Sequence, residues 1–255
     1  MSLVKVAIEQ HIAVVTLDAP PVNAVSIDMM EQLIAAFDRI SDLDDVRCAI
    51  LTGTGKMFSA GADIKGRANL VPEPGDGWKR ARLARESGYC IMENKKPVIA
   101  AINGPALGAG WGMAAMCDIL YASENAIVGL PEIDVGLMGG ARHSMRVLGH
   151  SLVRRMLLTG YRVPAPELYR RGVIEACVPA ADLMPTVMEV AKTIAAKSPV
   201  ASRLAKHALA TIEGMGIRDG YRFEQNMTAE LSKSEDSKEA MRAFVEKRPA
   251  VFKGK

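Results

Sequence analysis

No apolar run in this 255-residue sequence approaches the roughly 18 residues that a membrane-crossing helix needs. The first stretch, Met1 to Leu17, alternates polar and apolar residues and lacks the basic start and apolar block of a signal peptide. Those two absences predict a cytoplasmic protein with no membrane partner. The four cysteines, Cys48, Cys90, Cys117 and Cys177, stand far apart with no CxxC pair, and the histidines are not clustered. Neither a disulfide framework nor a metal site is expected, which leaves reduced, mostly buried thiols. A net charge of +3 is too small to point to nucleic acid, although local basic groups can still serve an anionic ligand. There is no self-similar repeat and no low-complexity segment.

What is present is the profile of a soluble globular protein, 49% hydrophobic and 24% charged. The length suits one large α/β body with a helical appendage. Val4, Val6 and Ile8, then Ile12, Val14 and on to Leu17, predict a hairpin interrupted by Glu9-Gln10-His11. Ser26 is placed to cap a helix carrying Met30, Leu33, Ile34, Phe37 and Ile40 at helical spacing. Cys48 to Leu51 reads as a buried strand. A polar loop from Gly66 to Gly77 precedes a helix over about Trp78 to Asn94, and Val98 to Ile102 forms the next strand. Further on come a glycine-rich turn from Gly104 to Gly112, a short helix, and strands at Asp118 to Ala122 and Ala126 to Leu130. Strands alternate with helices to about Pro179. From Asp182 the pattern is helical: Leu183, Val187, Val190, Ala191 and Ile194 share one face, Ser198-Pro199 opens another helix, and two more follow a break near Gly214 to Gly216.

The glycine-rich run invites a nucleotide-binding assignment and fails it. Gly108, Gly110 and Gly112 are not spaced GxGxxG, because position 113 is Met; no GxxxxGK[ST] and no GxSxG occurs. Taken alone, the run suits tight packing of a helix start on a strand. A second glycine-containing turn, Phe58-Ser-Ala-Gly61-Ala-Asp-Ile-Lys65, also leaves a strand and enters a helix. Two such turns can each offer a free amide, with the helix dipole added. Convergent amides make an oxyanion hole whose donors are worth roughly 2.7–4 kcal/mol each in the transition state. That chemistry requires the turns to meet in space, which spacing does not establish.

Several blocks in order make the sequence recognisable: Phe58 to Lys65, Lys96-Pro-Val-Ile-Ala-Ala-Ile-Asn-Gly-Pro-Ala-Leu-Gly-Ala-Gly110, Met116-Cys-Asp-Ile119, Leu130-Pro-Glu-Ile133 and Ala243-Phe-Val-Glu-Lys-Arg248. Over essentially its whole length the chain resembles the crotonase (enoyl-CoA hydratase/isomerase) superfamily. The resemblance implies an α/β fold, a spiral of ββα units over residues 1–195, with a helical C-terminal region over 196–255 that serves trimerisation and the coenzyme A site. It implies an oxyanion hole at the amides of Ala62 and Ala109, the latter standing where Gly is usual. It places Ala60, Ala62, Asp63, Ile64 and Lys65 at the CoA moiety, and Phe244 and Lys247 there too, often against a neighbouring subunit's ligand. It implies an acyl-CoA substrate, no cofactor beyond that CoA, and a homotrimer or homohexamer. Lysine suits phosphate as a mobile point charge; a solvated surface is the plainer role for Lys65 and Lys247.

Two departures matter. Hydratases of the family carry two glutamates; here Glu132 matches one, and Gly112, preceded by Trp111, stands where the other belongs. Hydration divides its proton transfers between two groups, whereas moving a double bond needs one base. The expectation is therefore enoyl-CoA isomerisation or hydration with Glu132 as acid/base. Decarboxylation or thioester hydrolysis is the rival within enzymes, and a non-catalytic acyl-CoA-binding subunit is the rival outside them. The second departure is Met138-Gly-Gly-Ala-Arg142-His143-Ser-Met-Arg146, shorter than the family's usual glycine-rich turn. Arg142 and His143 are expected near the acyl end of the pocket. His143 titrates near neutrality and can stand in for the missing acid; Arg142 can hold a substrate carboxylate. Either can instead satisfy backbone carbonyls in a tight turn. Trp111 is either a wall of the acyl pocket or a core aromatic.

Overall fold

The computed structural model describes residues 2–68 and 71–255. The chain runs β1 (Val4–Glu9), β2 (Ile12–Leu17), α1 (Ile27–Asp42), β3 (Cys48–Gly53), α2 (Ile64–Ala68), α3 (Asp76–Met92) and β4 (Val98–Ile102). Then come β5 (Ala106–Leu107), α4 (Ala109–Ala115), β6 (Ile119–Ser123), β7 (Ile127–Gly129), a 3-10 helix at Pro131–Val135, α5 (Ala141–Ser144) and α6 (His150–Thr159). After β8 (Arg162–Pro164), α7 (Ala165–Arg170) and β9 (Ala176–Val178) the chain is helical: α8 (Leu183–Ala195), α9 (Pro199–Ile212), α10 (Ile217–Ser232) and α11 (Glu235–Glu246).

A six-stranded sheet is ordered β1-β2-β3-β4-β6-β9, and a three-stranded sheet is ordered β5-β7-β8. Only the hairpin β1-β2 is antiparallel in the large sheet; each later strand joins in parallel after a crossover. The chain thus advances in turns, laying one strand in the large sheet and, from β5 onward, one in the small sheet. Cys48 and Ile50 of β3 with Ile99 and Ala101 of β4 pack against Leu183, Val187 and Ala191 of α8. Ala49, Leu51, Val98, Ala100 and Ile102 face the opposite core with Leu33, Phe37 and Trp111. The period of two puts alternate side chains on opposite faces, and both faces are covered, which is why these strands are unbroken apolar runs.

Ser26 caps α1, its hydroxyl accepting from the Met29 amide at 3.1 Å. Met30, Leu33, Phe37 and Ile40 are buried as the spacing predicted, while Ile34 is half-buried. Strand Asp118 to Ala122 is displaced by one residue, and the segment predicted at Ala126 to Leu130 is a three-residue strand of the small sheet. The predicted loop from Gly66 to Gly77 begins inside α2, because Asp63 accepts from the Gly66 amide at 2.9 Å and caps that turn; its residues 69 and 70 lie outside the described residues. Among the described residues no helix is long and apolar enough to cross a membrane. Cys48 and Cys117 are buried, Cys90 and Cys177 half-buried, and all four are free thiols. Burial pushes the Cys48 and Cys90 thiols up to about 12.

The C-terminal helices are tied to the sheet rim by a buried ion pair. Lys206 of α9, 3% exposed, donates to Asp118 at 2.8 Å and to the Ile91 carbonyl at 2.9 Å. The Val98 amide shares the same Asp118 oxygen. A lysine taken out of water is stable only when so satisfied.

Candidate active site

The two glycine-containing turns meet. Ser59 and Ala106 form a parallel bridge, the Leu107 amide donates to the Ser59 carbonyl at 2.9 Å, and the Phe58 and Ser59 amides share the Pro105 carbonyl. Gly61 has φ of +90°, and a Cβ there would stand 2.6 Å from the Leu107 oxygen and 3.4 Å from the Ala109 nitrogen. Only glycine allows that approach. A network missed in the sequence holds the first turn. Buried Asn23 donates to the carbonyls of Thr54, Met57 and Phe58, while Ser59 Oγ donates to the Asn23 carbonyl and accepts from the Gly61 amide.

The Ala62 and Ala109 amides make no hydrogen bond to any described residue. For Ala109 the reason is its place as the first residue of α4, where the helix supplies no acceptor. Two unsatisfied donors on abutting turns can take a developing oxyanion.

Glu132 lies in the 3-10 helix that follows β7, its entry set by Pro131. A Cβ on Gly108 would stand 3.0 Å from Glu132 Cδ and nearer still to Oε1, so the carboxyl group lies against the turn that carries Ala109. Its Oε2 is buried without a hydrogen-bond partner among the described residues. Burial pushes the Glu132 carboxyl above its usual range, opposed only by a backbone hydrogen bond. Such a carboxyl is poised to carry a proton.

A cavity of about 180 Å³ is lined by Ala109, Gly112, Glu132 and His143, with Gly88 of α3 and Met30 of α1. His143 therefore shares the cavity with Glu132, while Arg142 is exposed and does not line it. Arg142 and His143 both lie within α5. Trp111 is fully buried and does not line the cavity either. Its indole N–H donates to Ser144 Oγ at 2.9 Å, and that hydroxyl donates to the Gly140 carbonyl at 2.9 Å. Trp111 is a core residue that fixes α5. The linings contributed by α1 and α3 were not anticipated, since neither carries a motif.

Ala60, Ala62 and Asp63 are half-buried around the first turn, while Ile64 and Lys65 are exposed on α2. Phe244 on α11 is 86% exposed and Lys247 follows the end of that helix. No hydrogen bond or ion pair among the described residues joins Phe244 or Lys247 to Ala60, Ala62, Asp63, Ile64 or Lys65. A larger cavity, about 630 Å³, lies between the end of α3 and α9, lined by Met92, Lys206 and His207 among others. Its buried lysine is already paired with Asp118, so the smaller cavity, which holds the unpartnered carboxyl, is the better candidate.

The family model described as enoyl-CoA hydratase/isomerase matches residues 7–255. The chain is 36% identical to YngF of Bacillus subtilis over 250 residues, covering 96% of this chain and 95% of that protein. It is 35% identical to the short-chain-enoyl-CoA hydratase of Clostridium acetobutylicum over 245 residues, covering 94% and 93%. The solved enoyl-CoA hydratase of Bacillus anthracis superposes with a TM-score of 0.94 at 30% identity, over 100% of both chains.

Proposed function

The chain belongs to the enoyl-CoA hydratase/isomerase family, and we propose that it catalyses proton transfer at the α-carbon of an enoyl-CoA thioester. The amides of Ala62 and Ala109 hold the thioester oxygen as enolate charge develops, and Glu132 is the acid/base beside that carbon. The observation that carries this is the unpartnered Glu132 carboxyl packed against Gly108, one residue from a free amide and in the same apolar cavity. Two preorganised amides stabilise an enolate by roughly 2.7–4 kcal/mol each. The carboxyl needs no metal to move a proton in that place. On the same reading, Ala60, Asp63, Ile64 and Lys65 border the CoA moiety, and exposed Phe244 and Lys247 reach the CoA of a neighbouring copy in a trimer or hexamer.

The test is incubation with crotonyl-CoA and with a 3-enoyl-CoA in D2O, followed by mass spectrometry of the products. A product with added water, or a shifted double bond carrying deuterium, is expected, and Glu132→Gln should remove it. Release of CO2 or free CoA would move the chain to decarboxylation or thioester hydrolysis. No turnover with either substrate refutes the proposal.

A further inference from the structure

Gly112 occupies the middle of α4, where its backbone is ordinary helix and nothing in φ requires glycine. The requirement comes from outside the helix. A Cβ at 112 would stand 3.2 Å from Nδ1 of His143, tighter than a normal carbon–nitrogen contact, and outside its own helix it meets no other described residue within 4 Å. A Cβ on Gly88 of α3 would likewise meet Cε1 of the same ring at 3.8 Å. The imidazole therefore lies between two glycines, in the space a side chain at 112 would fill.

Three contacts hold α5, and with it the ring. Trp111 links it to α4 through the hydrogen bond to Ser144 already described. Arg146, just beyond α5, donates to the Ala115 carbonyl at 2.7 Å and pairs with Glu213 at 2.8 Å. The ring nitrogens themselves make no hydrogen bond to any described residue. Among the described residues of the cavity lining contributed by α1, α3, α4 and the 3-10 helix, Glu132 is the one other titratable group; Arg142 and Arg146 are charged groups on the α5 side.

We propose that His143 takes the proton from water in a hydration reaction, working opposite Glu132 in the same cavity. This rests on the enolate reading above and names the group that completes it. Water oxygen bonds to the β-carbon of a 2-enoyl-CoA while its proton passes to the neutral imidazole. The electron pair of the C=C bond moves onto the thioester oxygen, held by Ala62 and Ala109. The enolate then collapses as the Glu132 carboxylic acid delivers its proton to the α-carbon. Imidazolium and carboxylate remain, and proton exchange through water returns both to neutrality, so the net change is one water added. The environments agree with this division: burial, then Arg146 and Arg142, push the His143 ring below its usual range, while burial pushes Glu132 up.

The experiment compares the native chain, Glu132→Gln and His143→Gln in two reactions. One is hydration of crotonyl-CoA; the other is exchange of the α-hydrogens of butyryl-CoA in D2O, which uses Glu132 and the amides but no attacking water. The native chain is expected to do both, and Glu132→Gln neither. His143→Gln should lose hydration by about 100-fold or more and keep exchange, which also reports that it is folded. The acid-side fall in native hydration, caused by protonation of the ring, should vanish in His143→Gln. The proposal is overturned if His143→Gln hydrates normally, if it loses exchange along with hydration, or if the acid limb persists. A native chain that exchanges without hydrating overturns the role of His143 and leaves the enolate reading standing; one that does neither removes both.

Discussion

Gly108 and Gly112 stand one turn apart at α4 and are glycines for opposite reasons. At Gly108 the main chain decides: φ is +52° with ψ of −120°, a conformation L side chains rarely adopt, and the Glu132 carboxyl fills the remaining space. At Gly112 the main chain is permissive and the constraint is a single imidazole from α5. One side of the pocket is built by backbone geometry and the other by a side chain brought in from elsewhere. The difference teaches that the side carrying Gly108 and the Ala109 amide is rigidly specified, whereas the opposing side is set by which residue the α5 segment delivers.

The largest effect is expected at the rigid side. Gly108→Ala imposes both the strained backbone, which costs about 1–3 kcal/mol, and an overlap with the carboxyl. Thermal unfolding should show the loss of stability, and turnover of any enoyl-CoA should fall with it. An unaltered variant would mean that the turn relaxes freely and that the contrast with Gly112 is unreal.

Glu132→Gln should separate activity from stability. Turnover is expected to drop about 10²–10⁴-fold. A carboxyl whose folded pKa is raised contributes full stability below its unfolded pKa and loses it as pH rises through the folded value. At pH 8, above the ordinary carboxyl range, the native chain therefore lacks part of the stability that its half-buried carboxyl contributes in acid, a pH-dependent loss that glutamine does not share. The variant should melt higher than the native chain at pH 8, and the gap should close as pH falls toward the ordinary carboxyl range. A gap that widened in acid would reverse the sign assigned to this site.

Trp111→Phe probes the link between the two sides. It keeps most of the buried ring but removes the donor to Ser144, a neutral hydrogen bond worth about 0.5–1.5 kcal/mol. Stability should fall by about that amount, measured by urea unfolding. Hydration should suffer more than α-hydrogen exchange, because the loosened element carries His143 and not Glu132. Equal losses in both would show that Trp111 supports the whole site.

Much of the rigid side was legible in the sequence. Ser26 marked the start of α1, and the Phe58 to Lys65 and Gly104 to Gly112 turns each offered an amide without showing that they meet; each is a local pattern with a local cause. The pairing of Ala62 with Ala109 and the role of Glu132 came only from the resemblance to a known family. On the other side His143 was expected near the pocket and lines it, but its anchoring was not legible, because Trp111 and Ser144 are 33 residues apart and no periodicity joins them. Tryptophan in a glycine-rich run looked equally like pocket wall or core until its indole N–H found Ser144. Strands β5, β7 and β8, two or three residues each, are too short to show a period of two. Asn23 carried no motif, yet its amide group satisfies three carbonyls of the first turn.

The smallest effect is the most discriminating. In an unobstructed helix, replacing glycine by alanine stabilises by about 1 kcal/mol. At Gly112 the added methyl meets His143 Nδ1 at 3.2 Å, so Gly112→Ala in the native chain should gain little or lose slightly. Removing the ring first changes the answer: on a His143→Ala background, Gly112→Ala should recover most of the ordinary helix gain. The double-mutant cycle isolates the contact between the two positions, and urea unfolding of the four chains measures it. A coupling near zero would mean that the ring does not press on Gly112 and that the glycine is free to be anything. A coupling of the expected sign would show that position 112 is glycine because the histidine stands where its side chain would go.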